Sequence, residues 1–172
     1  MSFNYEQTTS ETCLPVCLLS LLDKSFTSKE EMDLFIDGIK RIKDSYAVSM
    51  VDAFVEKYQA RAEIFVDNFY FWKYLKEYPL TSGLILTQSI ISNAFIDVQP
   101  APYILYIDYY VFTSIVHSPH FIVILENASD SFLIFDPWIG KTRKVAKTNV
   151  YQAVESLRNY LKYCPLLIKV SP

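Results

Sequence analysis

The chain has 172 residues, within the ~100–200 expected of one domain, and its 51% hydrophobic and 20% charged composition excludes disorder and allows a substantial core. Lys and Arg number 16 against 19 Asp and Glu, a formal charge of −3, so the cationic field of a nucleic-acid binder is missing and no nucleic-acid partner is expected. With only 3 Gly, and neither GxxxxGK nor GxGxxG, glycine-rich phosphate loops are excluded as well.

The first half reads as helical. Leu14, Leu18, Leu21 and Leu22 recur at i, i+4, i+7 and i+8, the spacing of a helix buried on one face. Thr12 is placed to act as its N-cap, and Pro15 falls in the first turn, where a missing N–H is tolerated. Ser28 and Glu31 make a capping-box pattern ahead of Met32, Phe35, Ile36 and Ile39. A third helix is expected over 47–58 and a short strand over 62–66. Asn68 then caps an aromatic-rich helix, FYFWKYLKEY, that stops before Pro79. Residues 83–95 read equally as a strand followed by a helix or as a single helix.

The second half is richer in strands. Residues 103–107, 120–125 and 132–135 are short apolar runs bounded by Pro, Asn, Asp and Ser, and 142–146 is expected as an edge strand. Val150, Val154, Leu157 and Leu161 mark a C-terminal helix ended by Pro165, followed by a last strand over 166–170. Helices first and an antiparallel sheet afterwards is the α+β pattern. It is expected as one domain over 1–172, with a helical half to about residue 98 and a sheet half from about 99.

Residues 1–12 are polar and lack a basic n-region, so no signal peptide is expected. The longest apolar stretch, 101–116, contains Asp108 and several Tyr, and falls short of the ~18 residues a membrane span needs. Three cysteines without an export signal argue against a disulfide framework and for free thiols in a reducing, cytoplasmic setting.

Cys13 is read as the first residue inside an apolar helix, where unpaired N–H groups and the positive end of the dipole favour an anion. A thiol there loses its proton more easily, and the thiolate is the nucleophile. The competing reading is a small buried hydrophobe, and Cys17, on the apolar stripe, and Cys164, beside Pro165, are assigned to it. The two histidines, His117 and His120, both lie in VHSPHFIVIL. His120 opens a strand, where its ring can project from the sheet edge, and a cysteine nucleophile needs such a base with an orienting partner. Asp136, at the end of the next strand in FLIFDPW, is the candidate, beside the plainer reading of a turn residue before Pro137. An odd-length hairpin loop, 127–129 or 126–130, would set His120 directly across from Asp136; an even one would turn the two side chains to opposite faces. An odd loop is expected. The Cys13 N–H would serve as one oxyanion donor, and the side-chain amide of Gln7, six positions upstream, as another.

Taken in order, Gln7, Cys13 in QTTSETCLPVCLLSLL, His120 in HFIVIL and Asp136 in FLIFDPWIG resemble the bacteriocin leader-processing (double-glycine) cysteine peptidases, a papain-like branch. The resemblance covers nearly the whole chain and is carried by residue order and spacing. It implies a papain-like fold, a helical half packed on an antiparallel sheet with the cleft between them. It also implies Cys13 as nucleophile, His120 as general base, Asp136 as its orienter and Gln7 as the oxyanion side chain. A peptide or protein substrate would be cut without any metal or organic cofactor. Thr12 stands where the family has Asp, and Leu14 replaces the Gly after the nucleophile, where a bulky side chain would narrow the approach of a substrate backbone. With no transporter segments in the sequence, a stand-alone member is expected.

Three other readings stay open. Cys13, Cys17, His117 and His120 have the ligand count of a zinc site but untypical spacings. A catalytically silent peptide-binding module would use the same fold, with Leu14 as the feature in its favour. An acyltransferase or deamidase would use the same residues, since only the acceptor of the thioester changes. Among the remaining features, the aromatics Phe69 to Tyr74 read as core and lid packing. Lys141, Arg143, Lys144 and Lys147 read as the solvated face of an edge strand, and Trp138 as a shield over the His120–Asp136 pair.

Overall fold

The structure is a computed structural model that describes residues 3–22 and 24–171. In chain order the elements are α1 (Cys13–Ser20), α2 (Ser28–Ile39), α3 (Tyr46–Tyr58), β1 (Arg61–Val66), α4 (Phe69–Leu75), β2 (Leu84–Gln88) and α5 (Asn93–Asp97). There follow β3 (Tyr103–Asp108), α6 (Tyr110–Thr113), β4 (Pro119–Asn127), β5 (Ser131–Asp136), β6 (Lys141–Ala146), α7 (Lys147–Asn159) and β7 (Leu166–Ser171). The strands form one sheet in the order β2-β1-β7-β3-β4-β5-β6, antiparallel throughout except for the parallel pair β1–β2. No helix among the described residues is long and apolar enough to cross a membrane.

Both faces of the sheet are covered, which is why β3, β4 and β7 read as continuous apolar runs rather than alternating ones. Ile104, Phe121, Val123, Phe135 and Ile168 face α1, α2 and α3, while Leu105, Ile107, Ile122, Ile134 and Leu167 face the cluster built on α7 with Val150, Ala153 and Val154. Successive strand residues point to opposite sides, so each strand serves both cores.

Several elements depart from expectation for identifiable reasons. The first helix is buried all round, not on one face: all eight residues of α1 are buried, as suits CLPVCLLS, whose one hydroxyl is at Ser20. Thr12 occupies the position before α1 without capping it. Its hydroxyl instead donates to the Thr9 carbonyl (3.0 Å) and accepts from the Thr9 N–H (3.2 Å). The capping box of α2 lies one residue earlier than the sequence pattern suggested, between Thr27 and Glu30. Asn68 does cap α4, accepting from the Phe71 N–H at 2.9 Å, but that helix ends at Leu75. Residues 83–95 divide into β2 and α5. The helical half thus gives two strands, β1 and β2, to the common sheet, and the short α6 was not foreseen.

Candidate active site

Three segments far apart in sequence meet where α1 begins, β4 begins and β5 ends. β4 pairs with β3 so that His120 lies opposite Ile107, and α1 packs on β4 with the Cys17 thiol donating to the Phe121 carbonyl at 3.4 Å. Cys13, at the head of α1, stands beside the His120 imidazole and favours its charged form. His120 Nε2 meets Asp136 Oδ1 at 3.0 Å, which leaves Nδ1 free of that carboxylate. Cys13 is 6% exposed, His120 3% and Asp136 0%.

The hairpin reaches this arrangement by a different route from the one expected. Between the strand ends lie the three residues 128–130, but the ladder pair nearest the turn is Asn127 with Phe132. That register would turn His120 and Asp136 to opposite faces. A bulge between Ile124 and Glu126 shifts it by one, so that Val123 pairs with Phe135. Continued, this places Ile122 opposite Asp136 and His120 two residues further, on the same face but diagonal to the carboxylate.

Asp136 is the hub. Its Oδ1 also accepts from the Trp138 N–H (3.1 Å), and its Oδ2 accepts from Tyr109 Oη (2.9 Å) and Arg143 Nη2 (2.8 Å). Burial opposes ionisation of this carboxyl, yet the bonds from His120 and Tyr109 and the charge of Arg143 outweigh it and hold its pKa below the ordinary range. Burial likewise disfavours a charged His120, but Asp136 and Cys13 more than offset it and push its pKa up to about 9. The ring is walled by Tyr109 (centroids 4.6 Å apart) and by Trp138 edge-on (6.2 Å), as expected of a shield.

Tyr109 and Arg143 were missed in the sequence. Arg143 lies in the stretch expected to be solvated, but β6 pairs with β5 so that Asp136 faces Lys141 and Ile134 faces Arg143, which turns the guanidinium to the same side as the carboxylate. A tight four-residue connection, 137–140, was the available signal. Lys147 is also engaged, in an ion pair with Asp97 at 2.9 Å.

Gln7 lies in an N-terminal strap docked on this end of the sheet. Its N–H donates to the Pro137 carbonyl at 2.8 Å, and its side-chain amide donates to the Thr9 carbonyl at 2.7 Å. The strap is stapled by Glu31, whose fully buried carboxylate accepts from Tyr5 Oη (2.6 Å), the Thr8 N–H (2.7 Å) and Thr8 Oγ1 (2.6 Å). Gly140, at φ +60°, lies under Glu6 so closely that a Cβ there would come within 2.7 Å of the Glu6 nitrogen.

Other candidates go elsewhere. Burial pushes the Cys17 thiol well above its ordinary pKa, and burial also raises Cys164, which accepts from the Asn68 N–H at 3.3 Å. His117 stacks between Tyr110 and Tyr160 and pairs through Nδ1 with Asp108 at 2.5 Å. The four side chains of the zinc reading are therefore not gathered, and no group of three or more such ligands occurs among the described residues. Leu14 is 0% exposed and packed into the core beneath α1, so its side chain does not obstruct an approach to Cys13.

No protein-family model and no curated protein matches the chain. Among solved structures it is similar to the crystal structure of the peptidase domain of Streptococcus ComA, a bi-functional ABC transporter involved in a quorum sensing pathway. The TM-score is 0.58 at 13% identity, over 98% of this chain and 96% of that one. The likeness is one of fold, and with it the chain takes the papain-like α+β architecture.

Proposed function

We propose that the protein is a cysteine hydrolase acting on peptide bonds, with Cys13 as nucleophile, His120 as general base and acid, Asp136 as the group that orients the imidazole, and Gln7 as an oxyanion donor. The observation that carries this reading is the buried His120, bonded through Nε2 to the buried Asp136 and set beside Cys13, which favours its charged form. The thiolate attacks the scissile carbonyl carbon, and the oxyanion is met by the Cys13 N–H and by the Gln7 amide hydrogen that Thr9 does not use. The imidazolium gives its proton to the leaving amine as the C–N bond breaks, leaving a thioester. His120 then takes a proton from water, which attacks the thioester, and the acid product leaves with the thiolate–imidazolium pair restored. Leu14, the feature that favoured a silent module, lies in the core.

Limiting iodoacetamide at mildly acidic pH, followed by peptide mapping, tests the nucleophile. Cys13 is expected to be alkylated first, and His120→Ala to slow it at least ~10-fold. Incubation with a peptide library should give cleavage that Cys13→Ala abolishes. Equal, slow labelling of all three thiols, with no cleavage, would overturn the proposal.

A further inference from the structure

We infer that Arg143, together with Tyr109, is a positioning residue for the Asp136–His120 pair: the two fix the second carboxylate oxygen so that the first faces the imidazole, and the guanidinium charge limits how tightly Asp136 holds the imidazolium. The inference rests on the hydrolase reading for its kinetic consequence but not for its structural one.

The Asp136 carboxylate has two oxygens and four partners. Oδ1 takes His120 Nε2 and the Trp138 N–H; Oδ2 takes Tyr109 Oη and Arg143 Nη2. Rotating the carboxylate away from His120 would break bonds on both oxygens at once. Arg143 is built for this task rather than for solvent. Its guanidinium lies over the Phe112 ring at 4.8 Å, and its buried Nε has no hydrogen-bond partner among the described residues. Tyr109 touches both members of the pair, with its hydroxyl on Asp136 and its ring against His120.

One buried anion therefore serves two cations, the imidazolium and the guanidinium, which repel each other across it. The ionisable groups facing this pair are Cys13 and Cys17 from α1, Asp136 from β5, Tyr109 between β3 and α6, and Arg143 from β6. Removing the guanidinium leaves Asp136 wholly to His120, so the imidazolium should become harder to deprotonate. Arg143 acting as mere packing would have no such signed effect.

The test is the His120 titration midpoint, read by NMR in the full chain, with the His117 signals as internal reference. Arg143→Met and Arg143→Gln should each raise the His120 midpoint by at least ~0.5 pH, whereas Arg143→Lys should leave it near the parent value. Tyr109→Phe should leave the charge balance and broaden the His120 signals as Asp136 gains freedom. The alkaline limb of kcat/KM should move upward with the midpoint in the two neutral variants. An unchanged or lowered midpoint in both, with the fold intact, would overturn the inference while leaving the hydrolase reading untouched. A raised midpoint in a chain that cleaves no peptide would support the clamp and sink the hydrolase reading instead.

Discussion

Raising the pH should discharge His120 in its buried site, and the size of the effect follows from its surroundings. The ring is 3% exposed, and its pKa is pushed up to about 9 from an ordinary 6.5. Between those values the folded protein keeps a proton that the unfolded chain has released. The native state then binds more protons than the unfolded one, so stability falls as pH rises. The contribution is whole below about pH 6.5 and is lost as pH climbs through about 9. At ~1.4 kcal/mol per pH unit, this interval amounts to ~3 kcal/mol at most, a large part of the ~5–15 kcal/mol typical of a whole domain. Urea unfolding from about pH 6 to about pH 10 measures it, with His120→Gln alongside to cancel the titration of Lys and Tyr side chains. The parent should lose up to ~3 kcal/mol more than His120→Gln across the range. Cys13→Ala, which removes one of the two groups favouring the cation, should lose its share at lower pH. Parallel curves for the parent and His120→Gln would refute the reasoning, because they would mean that the ring is not held as a cation.

Two further predictions concern the strap that carries Gln7. Glu31→Gln replaces a fully buried carboxylate that accepts three hydrogen bonds, and should cost ~2–3 kcal/mol in urea unfolding while exposing residues 3–12 to limited proteolysis. Gly140→Ala places a Cβ at positive φ, 2.7 Å from the Glu6 nitrogen; a loss of ~1–3 kcal/mol is expected, with peptide cleavage falling further than the stability change explains as the strap is pushed off Pro137.

The elements were legible wherever periodicity and punctuation agreed. β3, β4, β5 and β7 are short runs of Ile, Val, Leu, Phe and Tyr between turn residues, and they appear within a few residues of their expected bounds. Cys13 could be placed because a polar dozen residues gives way abruptly to CLPVCLLS. What could not be read depends on tertiary choice. In TSKEE two capping boxes overlap, Thr27 with Glu30 and Ser28 with Glu31, and local rules do not rank them. The decision comes from the strap, because Tyr5 and Thr8 claim the Glu31 carboxylate and leave Glu30 to turn back on Thr27. Arg143 was misread for a similar reason. A cation among Lys141, Lys144 and Lys147 looks like surface until the pairing of β5 with β6 is known.

The bulge in β4 shows how a site can depend on a residue with no chemistry of its own. The turn sets Asn127 against Phe132, and from there strict two-residue alternation would carry His120 to the face opposite Asp136. The extra residue between Ile124 and Glu126, Leu125, restores the parity, and it lies outside the fully buried core. On the site side of the bulge, Phe121, Ile122, Val123 and Ile124 are all buried, so the two cores fix which way these side chains point. On the turn side, Glu126 and Asn127 are exposed and meet no such demand. The register conflict is therefore taken up where it costs least, at the boundary between core and solvent. The diagonal offset that results matters as well: it gives His120 reach to Asp136 through Nε2 and leaves the other ring nitrogen free of that carboxylate.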